Sequence, residues 1–211
     1  MYFDLSELDG ARAYKLLACT IVPRPIAWVV TQNASGKTNA APFSFFNAFS
    51  GAPPIICLGL GHRNGGPKDT FNNIRDSGEF VVNLVSEDTL HAMNTTAIPF
   101  PADVDEISLA GLTTTPSEQV TPPRITESPV AFECRMQKTI ELDGPNVLVI
   151  ARVAAVHVRD SAVTNRERCY IDTPSLNLVG RMESPGWYLR TRDRFLLRQI
   201  PLDDWEKPLE Q

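Results

Sequence analysis

The sequence predicts a mainly β fold, a closed or nearly closed β-barrel with short helices around it. Apolar, β-prone runs dominate the chain, the helical patterns are short, and strands and helices do not alternate as they do in a doubly wound sheet. At 211 residues, of which 43% are hydrophobic and 21% charged, the chain can bury a sizeable core. One domain of barrel type, or two small domains, would be usual at this length.

The N-terminal elements are a short helix and a hairpin. The helix is predicted over residues 9–17, with leucines on its inner side. The hairpin strands are predicted over residues 21–31 and 39–47, because two apolar runs flank a polar turn at residues 32–36. A further strand over residues 55–61 is a continuous apolar run, which is typical of a strand buried on both faces.

The middle of the chain mixes short helices with short strands. A turn-rich loop at residues 62–68 precedes a helix over residues 70–76, a strand over 80–85 and a helix over 86–94. That second helix has a serine at its N-cap but lacks a capping box. Residues 95–129 are rich in proline and are predicted to form a long excursion with short strands.

The C-terminal part adds the longest strands. They are predicted over residues 130–142 and 147–158, joined by an Asp-Gly-Pro-Asn turn at residues 143–146. Residues 176–199 contain one further strand or two.

Charge and hydropathy exclude several kinds of partner. The formal net charge is −5, and the lysines and arginines are scattered, which argues against a nucleic-acid or anionic-membrane partner. No window approaches the ~18 apolar residues that a membrane span requires. The N-terminal residues are acidic where a secretory signal has a basic start. We therefore expect a cytoplasmic protein.

The cysteines indicate neither a disulfide framework nor a metal site. Cys19, Cys57, Cys134 and Cys169 are widely separated, with no C-x-x-C pair and no histidine at zinc-ligand spacing. Cys57 and Cys134 lie in apolar runs, so we expect both to be buried, inert thiols.

The second hairpin strand is the first candidate binding segment. Small or hydrogen-bonding residues stand there among three phenylalanines: Asn39, Ala40, Ala41, Pro42 and Ser44. Small residues allow a flat ligand to approach the backbone, and aromatic neighbours give that ligand a wall. The same pattern also suits the corner of a β-barrel, because glycine, alanine and proline mark bends and edges. The segment alone leaves both interpretations open.

A second candidate site is the segment from Gly65 to Thr70. The two glycines free the backbone to turn, Lys68 supplies a cation, Asp69 is a candidate N-cap, and Thr70 places a hydroxyl in the first helical turn. Together with the unpaired N–H groups of a helix start, these residues suit a phosphate. An ordinary capped helix after a surface loop is the alternative. The chain has neither a P-loop nor a G-x-G-x-x-G dinucleotide motif.

The titratable residues suggest no acid–base machinery. The three histidines stand apart from any serine, cysteine or carboxylate in motif context, so no triad is assigned. For Asp105, Glu106, Glu127 and Glu133 we expect a solvated face or a local arginine partner. Arg181 and the aromatic pair at Trp187 and Tyr188 form a third cluster, suited to closing over a planar ligand, anchoring a subunit interface or packing at the core edge.

Several segments together resemble one known family. They are RPIAWVVT, NAAPFSFFNAFS, PPIICLGLG, KDTFNNIRDSGEFVVN, VDEISLAGL, ESPVAFEC and GRMESPGWY. Their order and approximate spacing, from about residue 21 to residue 188, are similar to those of the flavin reductase-like, FMN-binding split-barrel family. The N-APFSFFN and KDT-x-x-N blocks are specific only in combination.

The resemblance implies a six-stranded split β-barrel, one domain over residues 1–211 with a core at about 21–190, and a homodimer. It also implies an FMN cofactor near the subunit interface and reduction of flavin by NADH or NADPH. A small electron acceptor or a partner oxygenase would then receive the electrons. The cofactor carries the chemistry in such proteins, so we assign no catalytic residue and no metal.

The resemblance also implies a set of cofactor-binding residues, which are Trp28, Val29, Thr31, Asn39, Ala40, Ala41, Ser44, Phe45, Lys68, Asp69, Thr70, Arg181 and Tyr188. Those of the first hairpin strand would line the flavin and its phosphate arm. Those of the second would present backbone and amide groups to the ribityl chain and ring edge. Lys68 and its neighbours would hold the phosphate, the C-terminal pair would contribute across the dimer, and Arg24 would reach the same pocket.

Three functions are consistent with these residues. The first is an FMN-dependent NAD(P)H oxidoreductase. The second is a non-catalytic electron carrier of the flavoredoxin type, which the same pocket would serve. The third is a β-barrel without flavin that uses its aromatic cluster to bind a sugar or a peptide.

Overall fold

The computed structural model describes residues 1–62, 66–101 and 104–202. Within these ranges seven strands form one antiparallel sheet. The strands are β1 (Ala27–Gln32), β2 (Thr38–Phe43), β3 (Phe46–Gly51), β4 (Pro54–Gly61), β5 (Glu79–Leu84), β8 (Val130–Glu141) and β9 (Asn146–Val158). Their order across the sheet is β2-β1-β5-β8-β9-β4-β3. The prediction of a mainly β fold is confirmed.

The sheet closes on itself at the junction of β2 and β3. These strands are the two edges of the sheet, yet only Ser44 and Phe45 separate them along the chain. The sheet must therefore curl until its edges meet. The Gly59 N–H donates to the Phe45 carbonyl at 2.7 Å, and a Cβ on Gly59 would lie 3.1 Å from the Phe45 Cβ, so glycine permits this close approach.

The strand count differs from the prediction for the same reason. The sequence predicts one strand over residues 39–47 and six strands in the barrel. The structure divides this segment at Ser44 and Phe45 into β2 and β3, which gives seven strands within the described ranges. The apolar pattern runs across the division, so periodicity alone does not show the corner.

The sheet separates two apolar layers. The inner layer contains Val29, Leu58 and Phe80, none of which has exposed surface. The outer layer contains Trp28 and Val30, also without exposed surface. Because successive strand residues point to opposite faces, β1 is buried on both sides and reads as a continuous apolar run.

Short helices cover the outer layer and the barrel end. Helix α1 (Gly10–Thr20) has Asp9 as its N-cap, and α2 (Asp69–Ser77) ends at Gly78, whose φ of 73° suits glycine. Helix α3 (Leu90–Thr95) begins later than predicted, because the Ser86 N–H bonds to Thr89 Oγ1 in a turn. A further helix, α4 (Glu106–Leu109), is one that the sequence pattern did not predict.

Three small hairpins complete the elements of the described ranges. They are β6 (Thr114–Thr115) with β7 (Arg124–Ile125), β10 (Val163–Asn165) with β11 (Tyr170–Ile171), and β12 (Val179–Arg181) with β13 (Tyr188–Arg190). Single turns of 3-10 helix span Leu5–Glu7, Asp160–Ala162 and Thr173–Leu176. The short strands predicted within residues 95–129 and 176–199 are thereby confirmed. In the part of the chain that is described, the helices are too short or too polar to cross a membrane.

Candidate functional site

Two adjoining cavities lie along the outer edge of β2. The larger cavity has a volume of about 540 Å³ and lies between β2, the start of α2, α4 and residues 96–101. The smaller cavity, of about 200 Å³, lies between the end of β2, α3 and the β12–β13 hairpin. Pro42 and Ala97 line both, so the two cavities are neighbouring parts of one groove.

The larger cavity brings together residues that were assigned to a phosphate and residues that the resemblance assigned to the ribityl chain and ring edge. Its walls include Asn39, Ala41, Lys68, Asp69 and Thr70. The Asn39 amide donates to Thr70 Oγ1 at 3.0 Å, which ties β2 to the first turn of α2. The Lys68 Nζ lies 4.8 Å from the centre of the Phe43 ring, a cation–π contact at the cavity wall. A cation, an amide and a hydroxyl therefore share one cavity.

The start of α2 adds the electrostatics of a helix end. Lys68 is the N-cap and Asp69 the first helical residue, so the prediction that Asp69 is the N-cap is wrong by one position. An acidic residue in the first turn suits the positive end of the helix dipole. Thr70 is only 1% exposed, so its hydroxyl is held in place. Of the predicted glycine pair and the turn-rich loop, residues 63–65 lie outside the described residues.

The smaller cavity brings Ser44 together with Arg181 and Tyr188. Arg181 and Tyr188 are partners in the β12–β13 pairing, and the Arg181 Cζ lies 4.9 Å from the centre of the Tyr188 ring. The third member of the predicted cluster, Trp187, is 63% exposed. The cavity therefore joins an apolar wall to an arginine stacked on an aromatic ring.

Arg24 supports the smaller cavity from behind. Its guanidinium donates to the Ala18 and Ile21 carbonyls at 2.6 and 2.7 Å, and to the Met182 carbonyl at 3.0 Å. Its Nε also donates to Ser44 Oγ at 3.3 Å. These hydrogen bonds hold the end of α1 against the strand that carries Arg181, and Arg24 itself is only 6% exposed. The sequence did not predict this structural role of Arg24.

Other predicted residues lie behind the groove. Those with almost no exposed surface are Trp28, Val29, Thr31 and Ala40. The Trp28 indole donates to Thr96 Oγ1 at 2.9 Å, and Thr96 in turn lines the larger cavity. The Thr31 hydroxyl accepts a hydrogen bond from the Asn73 amide at 3.0 Å. The direct flavin contacts that the resemblance implies for these buried residues stay predictions.

Phe45 lies at the barrel corner, away from the polar cavity. It is 44% exposed, and its ring centre lies 5.8 Å from that of Tyr14 on α1. The structure thus separates Phe45 from Asn39 and Lys68, although its neighbour Ser44 lines the smaller cavity.

Glu106 is a cavity residue that sequence reasoning missed. It lines the larger cavity and is only 9% exposed, so the prediction of a solvated face or an arginine partner is wrong. Burial raises the pKa of its carboxyl, although hydrogen bonds from its own N–H and from the Ala40 N–H act in the opposite direction. The charges of Asp69 and Asp105 raise this pKa further. Its position in VDEISLAGL, a segment of the family pattern, was the available signal.

Glu133 also differs from its prediction, but as part of the framework. It has no exposed surface, and its carboxylate accepts hydrogen bonds from the Glu118 and Gln119 N–H groups and from His157. Burial alone would raise the pKa of Glu133, but these hydrogen bonds outweigh it and hold the pKa below its usual value. The carboxylate therefore fastens the proline-rich excursion to β8 and β9. Across residues 1–62, 66–101 and 104–202, His, Cys, Asp and Glu side chains form no group of three or more that could hold a metal.

Comparison with known proteins identifies the family. Residues 19–181 match the family described as the flavin reductase like domain. An uncharacterized protein of Deinococcus radiodurans is 39% identical over 212 residues, which cover 98% of this chain and 92% of that protein.

Two solved structures are similar over almost their whole length. Nitrilotriacetate monooxygenase component B from Bacillus cereus is 32% identical, with a TM-score of 0.87 and coverage of 93% of this chain and 98% of that one. The 2-nitrobenzoate 2-nitroreductase of Pseudomonas fluorescens is also 32% identical, with a TM-score of 0.87 and coverage of 96% and 97%. The chain therefore belongs to the flavin reductase-like family of split-barrel proteins, which implies a flavin cofactor and an oxidoreductase activity.

Proposed function

We propose that the protein is an FMN-binding oxidoreductase that takes hydride from NADH or NADPH and passes electrons to free flavin or another small acceptor. The observation that carries this proposal is the groove along β2. One cavity offers a cation, an amide and a hydroxyl, and the adjoining cavity offers apolar and stacked surface. A phosphorylated chain attached to a flat ring system needs these two environments side by side.

The residues of the groove fit a flavin phosphate. Lys68 and the first turn of α2 would hold the phosphate, because a lysine and a helix start both favour anions. Asn39 would meet the ribityl hydroxyls, and Tyr188 with Arg181 would face the ring. When bound, the flavin supplies the hydride and electron chemistry. The protein binds it, orients it and excludes water.

The two similar solved structures support a proposal that electrons pass from the flavin to a further acceptor. One is a component of a monooxygenase and the other is a nitroreductase. Both names are compatible with a protein that delivers reducing equivalents from a bound flavin. We therefore include a partner oxygenase among the proposed recipients.

We further propose that the protein is a homodimer that uses the surface of α1 and β3. Apolar side chains are exposed there, among them Tyr14 at 53%, Ile21 at 59% and Phe49 at 67%. Exposed apolar groups mark interaction sites, and the Tyr14 ring on α1 contacts Phe45, which directly precedes β3. β3 is also an edge of the main sheet. Arg24 links this surface to the smaller cavity, so a second copy would lie beside the flavin.

The test is to load the purified protein with FMN and mix it with NADH or NADPH under anaerobic conditions. We expect saturable FMN binding and rapid bleaching of the flavin absorbance by one of the two nucleotides. Stable FMN binding without bleaching by either would favour the electron carrier instead. A folded protein that takes up neither FMN nor FAD would overturn the proposed function and favour the barrel that binds a sugar or peptide.

A further inference from the structure

Glu106 places a carboxyl group in the cavity proposed for the flavin phosphate. It lines the same cavity as Lys68 and Thr70, and it is only 9% exposed. Its backbone lies at the start of α4, which packs Ile107 into the outer apolar layer. Its carboxyl accepts hydrogen bonds from its own N–H and from the Ala40 N–H, which hold it in place. The carboxyl and a bound phosphate would therefore share one cavity.

The charged groups around Glu106 come from three segments. Lys68 and Asp69 stand at the start of α2, Asp105 precedes Glu106, and Lys37 lies in the β1–β2 turn. Asp105 is exposed and hydrogen-bonded to Ser108, which lowers its pKa first, and Lys37 lowers it further. The carboxylates of Asp69 and Asp105 thus oppose ionisation of Glu106. Each of the two lysines has one of these acidic residues as its neighbour.

We infer that Glu106 is a specificity-determining residue of the groove that selects between phosphorylated and unphosphorylated flavin according to its own protonation. The neutral carboxyl admits the phosphate, and the ionised carboxylate repels it. Riboflavin carries no phosphate and is indifferent to the charge of Glu106. This inference rests on the proposed function, because it needs a flavin in the groove.

The sign of the effect follows from the environment. Burial raises the pKa of Glu106, and a phosphate bound nearby would raise it further, so FMN binding takes up a proton at this residue. As the pH rises through this raised pKa, the affinity for FMN falls relative to the affinity for riboflavin. A charge-to-charge coupling of one pKa unit corresponds to about tenfold in affinity.

The experiment measures dissociation constants for FMN and riboflavin from about pH 5, just above the ordinary pKa of glutamate, to about pH 9. It compares the wild type, Glu106→Gln and Glu167→Gln. The last removes an exposed carboxylate of the β10–β11 turn, which lines neither cavity of the groove. A glutamine at position 106 still accepts the hydrogen bond from Ala40, and thermal unfolding checks that the variant folds. The phosphate of FMN titrates near pH 6 in every variant, so the comparison between variants isolates Glu106.

We expect Glu106→Gln to bind FMN about tenfold more tightly than the wild type at high pH, with riboflavin affinity unchanged and Glu167→Gln like the wild type. Equal FMN affinities for wild type and Glu106→Gln at every pH would overturn the inference. Equal weakening of both ligands would also overturn it, because the carboxylate would then be an acceptor for ribityl hydroxyls. If the folded wild type bound neither ligand, the proposed function would fail as well.

If Glu106→Gln does not fold, a measurement on the wild type alone still tests the inference. Calorimetric titration in two buffers of different ionisation enthalpy gives the number of protons taken up on binding. Above the titration of the FMN phosphate near pH 6, we expect proton uptake with FMN at the pH values where Glu106 ionises, and none with riboflavin. No difference in proton uptake between the two ligands would contradict the inference.

Discussion

Lys68 is the residue whose positive charge would bind the flavin phosphate in the proposed site. It stands at the N-cap of α2, in the wall of the larger cavity and against the Phe43 ring. We expect Lys68→Ala to weaken FMN binding by about 1.5–3 kcal/mol, the range for hydrogen bonds to charged groups, which is at least tenfold. Flavin fluorescence titration measures this loss.

The controls for Lys68 separate a phosphate contact from a general effect. Riboflavin affinity should be unchanged in Lys68→Ala, because riboflavin lacks the phosphate. Lys138→Ala removes an exposed lysine on β8 and should bind FMN like the wild type. Unchanged FMN affinity in a folded Lys68→Ala protein would place the phosphate elsewhere.

Glu133 shows how a single buried carboxylate secures the framework. Its pKa is lowered in the folded protein, so the stability that it contributes is present above the unfolded pKa and is lost as the pH falls through the folded pKa. We expect Glu133→Gln to destabilise the protein by about 3 kcal/mol at neutral pH, as does breaking a buried pair. Denaturant unfolding across the acid range should show the difference from wild type narrowing as the pH falls.

The matched control is Glu141→Gln, which removes an exposed carboxylate from the end of the same strand. It should leave the free energy of unfolding within about 0.5 kcal/mol of wild type. A Glu133→Gln protein as stable as this control would show that the hydrogen bonds from the Glu118 and Gln119 N–H groups do not depend on the charge.

The β12–β13 hairpin is the element that completes the smaller cavity. It is fastened to the chain before β1 by a backbone bridge in which Arg24 and Arg181 exchange hydrogen bonds at 2.9 and 2.8 Å. Gly180 lies in this contact, and a Cβ there would stand 2.9 Å from the Pro23 Cβ. The contact therefore requires glycine, and side-chain bulk at this position should move the hairpin.

We expect Gly180→Ala to cost about 1–3 kcal/mol of stability, the range for overpacking, and to weaken flavin binding as Arg181 and Tyr188 shift. Thermal unfolding and FMN titration measure the two effects. Gly186→Ala is the control in the same segment, because a Cβ there would meet nothing within 4 Å. Equal behaviour of the two variants would show that the hairpin tolerates a displacement at Pro23.

Sequence patterns predicted the strands of the sheet and a closed or nearly closed barrel, but not the corner at which the sheet closes. The long strands β8 and β9 follow apolar patterns that are local, and so does the buried strand β4. The corner at Ser44 and Phe45 depends on the contact with Gly59, which lies on a different strand. A contact between distant residues leaves no periodic signal in either segment.

The site was predictable to the extent that its residues lie in short motifs. Lys68, Asp69 and Thr70 adjoin one another in sequence, and the structure places them in one cavity with Asn39. Glu106 was missed because its burial depends on α4 packing against β2, and α4 is too short for a helical period to appear. The segment at residues 96–101 was missed because proline-rich stretches carry no periodicity.

At the scale of the whole molecule, the exposed apolar surface of α1 and β3 is what a second copy would bury. We expect Phe49→Asp to convert a dimer into a monomer, because Phe49 is 67% exposed on β3 and a charge there would have to be desolvated in the interface. Light scattering coupled to gel filtration measures the mass against the 23.3 kDa of one chain. Tyr170→Asp is the control: this tyrosine is 56% exposed on the separate β10–β11 hairpin, and its variant should stay dimeric.

The monomeric variant also tests whether the groove depends on its neighbour. Arg24 connects α1 to Ser44 and to the strand of Arg181, so loosening α1 should reach the smaller cavity before the larger one. We therefore expect Phe49→Asp to weaken riboflavin and FMN by the same factor, since both place the ring there, whereas Lys68→Ala weakens FMN alone. A wild type that is monomeric at micromolar concentration would contradict the proposed dimer. A Phe49→Asp protein that stays dimeric would show that the interface lies on another surface.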